Sequence, residues 1–198
     1  MLIPDLTRLY LRVQCGYIPQ PCDDLTFDTR YRASLHKRFD NILPHLPFVA
    51  DRSIDIGGGM SGIGLLLHAH YGPHLVHHVV DGLLDDPIVE KHAETFSSAP
   101  ALAEFYHANG VQVTAIPPST KSFGPGKYDI VTSFAAWGFH IPPNEYLQRV
   151  KAVLADEATV IIDVRRGRHD WVEEFQDAFG QGTVVFELPK LVRYVWHV

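Results

Sequence analysis

The chain has 198 residues, of which 46% are hydrophobic and 20% are charged, and its formal net charge at pH 7 is −6. This composition is typical of a globular protein, and a chain of this length buries enough apolar surface to fold without disulfides or a structural metal. The acidic balance disfavours nucleic acid as a substrate, because non-specific binding to nucleic acid depends on many Lys and Arg side chains.

Only two cysteines are present, Cys15 and Cys22, which is too few for a disulfide framework or a set of zinc ligands. The N-terminal segment lacks the unbroken apolar run of a signal peptide, and no stretch reaches the ~18 apolar residues of a membrane span. We therefore expect a cytoplasmic protein without a membrane partner. The sequence carries no signal for its oligomeric state.

The first 50 residues contain one clear pattern, which predicts a helix from Asp28 to about Leu43 that ends at Pro44. We interpret residues 1–50 as a helical segment that caps the ligand-binding edge of the domain formed by residues 51–198. A helix that merely covers a sheet face or a sheet edge would show the same pattern.

From Ser53 onward, short β-branched runs alternate with amphipathic helical patterns, which predicts an α/β domain with a largely parallel sheet. The predicted strands cover residues 53–56, 75–80, 111–116, 128–134, 159–164, 183–186 and 191–196. The predicted helices between them cover about 63–71, 100–109, 144–155 and 170–179. The last two strands are separated only by Leu188, Pro189 and Lys190, too few residues for a parallel crossover, so they should form an antiparallel hairpin.

A glycine-rich turn, Gly57-Gly58-Gly59, follows the first predicted strand at the point where an α/β sheet binds its ligand. Glycine permits the tight turn and lets a ligand touch the backbone. Ser61 is a candidate N-cap of the following helix, whose free N–H groups would face a carboxylate or a phosphate.

Two acidic residues select between the ligands that this turn could hold. Asp81 ends the second predicted strand, where a carboxylate accepts hydrogen bonds from ribose hydroxyls. Gly57, Gly59 and Gly62 also satisfy the spacing of a dinucleotide-binding turn. Asp55, however, would repel a pyrophosphate and would pair with the α-ammonium of a methionyl group. The two acids therefore favour S-adenosylmethionine (SAM).

With these residues, the chain resembles the class I SAM-dependent methyltransferases over about residues 50–198. Asp55, Gly57 and Gly59 match the first motif of that family, and Asp81 and the terminal hairpin match its later features. The resemblance implies a Rossmann-like seven-stranded sheet, mostly parallel with a C-terminal antiparallel hairpin and helices on both faces, and SAM as the cofactor. The residues that it assigns to the cofactor are Asp55, Gly57, Gly58, Gly59, Asp81 and Ser133.

Two positions depart from the family pattern. Ser61 stands where the family usually has another glycine. The end of the third strand, residues 116–120, lacks the acidic residue that often contacts adenine.

The methyl acceptor should bind after the fourth strand, where small residues leave room and Trp137 and Phe139 could wall the sulfonium. The Asn/Asp-Pro-Pro-aromatic motif of the amino-group methyltransferases that act on bases and glutamine is absent, which argues against that subclass. Removing a hydroxyl proton suits an imidazole, so His140 is the candidate general base, with His36 in reserve. A histidine that only packs or lies on the surface remains the alternative for His140.

Two arginines, Arg165 and Arg166, follow the fifth strand at the same sheet edge and could bind a carboxylate or a phosphate on the acceptor. A solvated basic loop is the alternative. Residues 137–140, together with Asp163 and residues 165–167, are similar to stretches of sugar O-methyltransferases. The resemblance implies a small-molecule acceptor, a sugar or another hydroxylated metabolite, bound by Trp137, Phe139, Arg165 and Arg166.

Two other functions stay open. An NAD-binding oxidoreductase would need a second nucleotide-binding half or a separate substrate domain, for which the terminal hairpin leaves little chain. A catalytically inactive partner protein could keep the same fold. No metal site is predicted, because the clustered histidines do not share one direction on a helix or strand. These histidines are His68, His70, His74, His77 and His78.

Overall fold

The computed structural model describes residues 1–14, 22–60, 62–81 and 99–198. The strands in these ranges are β1 (Arg52–Ile56), β2 (Val76–Val80), β3 (Val113–Ile116), β4 (Tyr128–Ser133), β5 (Leu154–Arg165), β6 (Thr183–Leu188) and β7 (Leu191–His197). The α-helices are α1 (Asp5–Gln14), α2 (Asp24–Ile42), α3 (Ile63–Tyr71), α4 (Ala99–Ala108), α5 (Leu147–Val153) and α6 (His169–Phe179). Ser61, the predicted N-cap of α3, lies outside the described residues, and Gly62 occupies the N-cap position.

The seven strands form one sheet in the order β3-β2-β1-β4-β5-β7-β6. Pairing is parallel from β3 to β5, whereas β7 runs antiparallel to both β5 and β6. The predicted fold class and the terminal hairpin are confirmed. Since parallel strands end at the same edge, the segments that follow β1, β2, β4 and β5 lie side by side.

Side chains alternate between the two faces of the sheet, and each face has its own core. On one face, Val79, Ile130 and Ile161 pack in a cluster with buried residues of α1, α2, α3 and α4. On the other face, Ile54 and Val131 pack in a cluster with buried residues of α5 and α6. Helices therefore cover both faces, as the sequence predicts.

The N-terminal region contains more helix than predicted. Helix α2 begins at Asp24, four residues before the predicted start, because the carboxylate of Asp23 accepts a hydrogen bond from the backbone N–H of Thr26 at 2.8 Å. The sequence patterns did not predict helix α1. The guanidinium of Arg8 on α1 binds both carboxylate oxygens of Asp28 on α2, at 2.9 and 3.0 Å. The division of the chain at residue 50 stays a prediction.

The predicted helix over residues 144–155 is too long. A 3-10 turn covers Pro143–Glu145, α5 ends at Val153, and Leu154 is already the first residue of β5. Leu154 pairs with Tyr128 of β4, so strand pairing takes over a residue whose local pattern favours helix. In the part of the chain that the structure describes, no helix is both long and apolar enough to cross a membrane.

Candidate functional site

The glycine-rich turn begins where β1 ends and is held in place by its neighbours. Gly57 and Gly59 have φ values of +67° and +50°, a region that side chains with a Cβ atom rarely adopt. The backbone N–H of Gly57 donates to the carbonyl of Val80 at the end of β2, at 2.8 Å. The turn is therefore fixed to the end of β2 by this bond, without any ligand.

Helix α2 braces the other end of the turn. The hydroxyl of Tyr31 donates a hydrogen bond of 2.5 Å to the carbonyl of Met60. A Cβ atom at Gly62 would lie 2.9 Å from that hydroxyl and 3.0 Å from Leu35. The first 50 residues thus contact the glycine-rich turn, and a role for them as a cap over a bound ligand stays a prediction.

Asp55 lies fully buried on β1, directly beneath the turn. The hydroxyl of Thr132 on β4 donates to its Oδ1 at 2.9 Å. Its Oδ2 would lie 2.5 Å from a Cβ atom at Gly58, so that position accommodates only glycine. The carboxyl group of Asp55 is therefore held against the underside of the backbone at Gly58.

Asp81 approaches the same turn from the end of β2. Its side chain is 1% exposed, and its Oδ2 accepts a hydrogen bond of 2.5 Å from the backbone N–H of Gly59. The two predicted acids, which are far apart in the sequence, thus converge on neighbouring glycines of one turn. This convergence is the central feature of the site.

Ser133 closes β4 between these groups and the following loop. Its buried hydroxyl donates to the carbonyl of Ile56 at 2.8 Å and accepts from the backbone N–H of Trp137 at 2.9 Å. These two bonds join the ends of β1 and β4 to the loop beyond β4. The predicted contact of Ser133 with a cofactor stays a prediction, and its hydroxyl has this structural role as well.

The loop after β4 folds into a compact turn. The backbone N–H groups of Phe139 and His140 both donate to the carbonyl of Ala136, at 3.0 and 2.8 Å. Ala135 has a φ of +53°, an uncommon conformation for a residue other than glycine. The carbonyl of Gly138 accepts from the backbone N–H of Arg165 at 2.9 Å, so this loop is tied to the end of β5.

Trp137 and Phe139, both predicted at the acceptor site, have different surroundings. Trp137 is fully buried, donates from Nε1 to the carbonyl of Pro143 at 2.9 Å, and packs edge-on against Phe175. Its indole is thus part of the core rather than of an open wall. Phe139 is half-buried, and its ring contacts the exposed imidazole of His140, with ring centroids 4.8 Å apart. His36, the reserve base, is exposed on α2.

The two predicted substrate-binding arginines also differ. The guanidinium carbon of Arg165 lies 5.6 Å from the centroid of the Phe139 ring, beside the loop after β4. Arg166 turns to the terminal hairpin instead, where its Nη2 contacts Glu187 at 2.5 Å and its Nε donates to the carbonyl of Leu188 at 3.2 Å. The structure therefore brings Arg165, and not Arg166, next to Phe139 and His140.

A buried ion pair near the end of β5 was not predicted from the sequence. Arg193 of β7 binds Asp163 of β5 through two bonds of 2.7 and 3.0 Å, and both residues are almost fully buried. The Arg193 guanidinium also lies 4.4 Å from the ring of Phe134, the residue that follows β4. A charged residue between apolar neighbours in a predicted strand, as in residues 192–195, is the signal that could have found it.

Comparisons with known proteins agree with this geometry at the level of the fold. No protein-family model and no curated protein matches the chain. Among solved structures, a 16S rRNA methyltransferase of T. Thermophilus, in complex with AdoMet and guanosine, matches with a TM-score of 0.52 and 13% identity over 80% of this chain and 38% of that one. A TehB-like SAM-dependent methyltransferase from Corynebacterium glutamicum has a TM-score of 0.52 and 13% identity over 87% of this chain and 96% of that one.

A third solved structure, that of StiE O-MT, has a TM-score of 0.54 and 16% identity over 89% of this chain and 58% of that one. The chain thus spans less than two thirds of the length of the rRNA methyltransferase and of StiE O-MT. At these identities, the similarity concerns the fold. The strand order, the terminal antiparallel strand and these neighbours together show that the chain has the fold of the class I SAM-dependent methyltransferases.

Proposed function

We propose that this protein is a SAM-dependent methyltransferase that methylates an oxygen atom of a small hydroxylated molecule, such as a sugar. The observation that carries the proposal is the convergence of two buried carboxylates, those of Asp55 and Asp81, on the turn Gly57–Gly59. The turn lies at the carboxyl end of the central strands, where open α/β sheets bind their ligands.

The charge of Asp55 favours SAM over a dinucleotide. The carboxylate lies beneath Gly58, where the pyrophosphate of NAD would have to approach the backbone. A negative charge there opposes a pyrophosphate and attracts the α-ammonium of a methionyl group. The methionyl carboxylate would then face the N-terminus of α3, whose first N–H groups favour an anion.

Asp81 would hold the ribose. A carboxylate accepts several hydrogen bonds, so the bond from Gly59 is compatible with bonds from ribose hydroxyls. The same bond fixes the carboxylate relative to Asp55, since both acids contact adjacent glycines. Asp81 therefore orients the nucleoside part with respect to the methionyl part.

His140 is the proposed general base. When bound, SAM supplies a methyl group on a sulfonium, whose carbon–sulfur bond breaks as the carbon–oxygen bond to the acceptor forms. His140 would take the proton from the acceptor hydroxyl, which leaves a neutral ether and an imidazolium. Its exposed imidazole on the loop after β4 is consistent with this role, and Phe139 packs against it. Positioning of the reactants would supply most of the rate enhancement.

The cofactor assignment is tested by calorimetric titration with S-adenosylhomocysteine, with NAD and NADH as controls. We expect binding of S-adenosylhomocysteine alone, and an affinity lower by at least about ten-fold in Asp81→Asn, because a ribose hydroxyl loses a charged acceptor. Asp129→Asn is the matched control. Asp129 likewise accepts hydrogen bonds from backbone N–H groups, those of Asp51 and Arg52 at 2.8 and 2.9 Å. These bonds lie where β1 and β4 begin, at the other end of the strands from the glycine-rich turn.

The control variant should bind S-adenosylhomocysteine as the unchanged protein does. Circular dichroism and thermal unfolding of both variants separate a lost contact from a lost fold. Binding of NAD would overturn the proposal in favour of an oxidoreductase. Binding of neither compound by the folded protein would favour an inactive member of the same fold.

A further inference from the structure

Four arginines lie at the end of β5 and on the hairpin beside it, and their partners divide them into two pairs. Arg166 contacts Glu187, and Arg193 contacts Asp163. In the part of the chain that the structure describes, Arg165 and Arg168 have no carboxylate within 4.0 Å and no side-chain hydrogen bond. Among the described residues, two of the four positive charges are thus balanced by a carboxylate, and two are not.

Aromatic rings hold the two unbalanced arginines. The guanidinium carbon of Arg165 lies 5.6 Å from the ring centroid of Phe139, and that of Arg168 lies 4.8 Å from the ring centroid of Trp171. A ring attracts the cation without occupying its N–H donors, which stay available to an anionic ligand. Both side chains are exposed, and the backbone N–H of Arg168 donates to the carbonyl of Arg165 at 3.2 Å, so they share one tight turn.

The Phe139 ring also relates Arg165 to the proposed base. The imidazole centroid of His140 lies 4.8 Å from the same ring centroid. The two distances to Phe139 together limit the separation between the imidazole and the Arg165 guanidinium to about 10 Å. This is a span that one monosaccharide with a charged substituent can bridge.

We propose that the methyl acceptor is anionic, and that Arg165, assisted by Arg168, binds a phosphate or carboxylate group attached to the same molecule as the reacting hydroxyl. This inference rests on the proposed function and adds the substrate class to it. The formal net charge of the chain is −6, which repels anions at long range. The positive charges of Arg165 and Arg168 would attract an anion to the acceptor site despite this repulsion.

The first test measures anion binding without the reaction. The arginine Nε–H signals of the full-length 15N-labelled protein are followed by NMR during titration with inorganic phosphate, and the variants Arg165→Gln, Arg168→Gln and Arg166→Gln assign them. We expect saturable shifts of the Arg165 and Arg168 signals, and a much smaller shift of the Arg166 signal. Equal shifts of all three signals, or none, would overturn the proposal and indicate an ordinary solvated loop.

The second test measures turnover with paired acceptors: a hexose and its 6-phosphate, a hexose and the corresponding uronate, and a short RNA. We expect methylation of an anionic member, and a KM that rises by about ten-fold or more in Arg165→Gln while kcat changes less, because a charge-assisted contact to the bound acceptor is lost. Lys151→Gln, which removes the same charge from an exposed position on α5, should leave the KM unchanged.

The two tests separate this inference from the proposed function. If S-adenosylhomocysteine binds but neutral and anionic acceptors react equally, the anionic substrate class is wrong and the methyltransferase assignment survives. If S-adenosylhomocysteine does not bind, the proposed function fails, and the phosphate titration still decides whether Arg165 and Arg168 form an anion site. Methylation of RNA alone would overturn the small-molecule substrate, and the pair of hexose derivatives distinguishes phosphate from carboxylate.

Discussion

Gly57 and Ala136 face each other so closely that a Cβ atom at Gly57 would lie 2.5 Å from the Cβ atom of Ala136. The glycine belongs to the turn after β1, and the alanine belongs to the loop after β4. The proposed cofactor site and the proposed acceptor site are therefore in direct contact at this point. A small residue is required on both sides of the contact.

Gly57→Ala should destabilise the protein for two separate reasons. The positive φ of +67° costs a residue with a Cβ atom about 1–2 kcal/mol, and the overpacking against Ala136 costs about 1–3 kcal/mol more. Gly180→Ala is the control, because Gly180 has a φ of +84° and open space around its Cα. Urea unfolding should show a larger loss for Gly57→Ala, partly restored by Ala136→Gly; equal losses in both alanine variants would contradict this explanation.

The buried ion pair of Asp163 and Arg193 should be far more sensitive than the exposed pair of Arg166 and Glu187. Both pairs join the end of β5 to the hairpin, but only the first is withdrawn from solvent. Asp163→Asn should lower the free energy of unfolding by about 3–5 kcal/mol, since it leaves a buried guanidinium without its countercharge. Glu187→Gln should change it by at most about 1 kcal/mol.

Denaturant titration of these two variants measures the difference. Replacing both members of the buried pair, Asp163→Leu with Arg193→Met, should be less harmful than Asp163→Asn, because no uncompensated charge remains. A double variant that loses the summed effect of its single changes would show that the two side chains act independently.

His77 should make the protein less stable as the pH falls. The imidazole of His77 is buried, with 1% of the residue exposed, and it shares a hydrogen bond of 2.8 Å with the hydroxyl of Ser53. This burial lowers the pKa of His77 to about 3. The unfolded chain, with a histidine pKa near 6.5, binds a proton that the folded protein excludes. The contribution of His77 to the free energy of unfolding is therefore fully present above pH 6.5 and is lost toward pH 3, by up to about 1.4 kcal/mol per pH unit.

His77→Gln should reduce this slope when unfolding is measured between pH 7 and pH 5, where most carboxylates stay ionised. The slope should not vanish, because burial also lowers the pKa of His78. His74→Gln, on the exposed turn before β2, should leave the slope as it is. An unchanged slope in His77→Gln would mean that another group dominates the acid sensitivity.

His140→Gln should lower kcat by about 10²–10⁴-fold while S-adenosylhomocysteine still binds, since the variant loses only the proton acceptor. Single-turnover methyl transfer from labelled SAM, with an acceptor found in the paired panel, measures the effect. His36→Gln reports on the reserve base. If the His36 variant loses the rate and the His140 variant keeps it, the base lies on α2 rather than on the loop after β4.

Local signals were sufficient for the sheet, the glycine-rich turn and the hairpin. Short runs of β-branched apolar residues define strands such as 159–164, three consecutive glycines define the turn, and a short connector forces the last strands to be antiparallel. Asp55 and Asp81 could be predicted as site residues because each is an acidic residue at the end of a predicted strand. The contacts that they make with Gly58 and Gly59 depend on the packing of β1 against β2 and β4, which no local pattern encodes.

The loop after β4 and the hairpin show why other residues were harder to predict. Trp137 was expected to wall the sulfonium, whereas the turn through Ala136 directs its indole into the core beside Phe175. The different partners of Arg165, Arg166 and Arg193 follow from the register of β5 with β7 and of β7 with β6. A one-residue slip of β7 against β5 would turn the Arg193 side chain to the other face of the sheet and separate it from Asp163.

The bond between Thr132 and Asp55 joins residues that are 77 positions apart in the sequence. The central strand β1 acquires its β4 neighbour only after residue 133 has emerged from the ribosome, and long-range pairings of this kind slow folding because loop closure precedes the favourable contacts. The contact of Asp55 beneath the turn therefore cannot form until about two thirds of the chain has been synthesised. A small molecule that binds beside Asp55 binds only chains in which β1 and β4 have paired, and at saturating concentration it stabilises them by mass action.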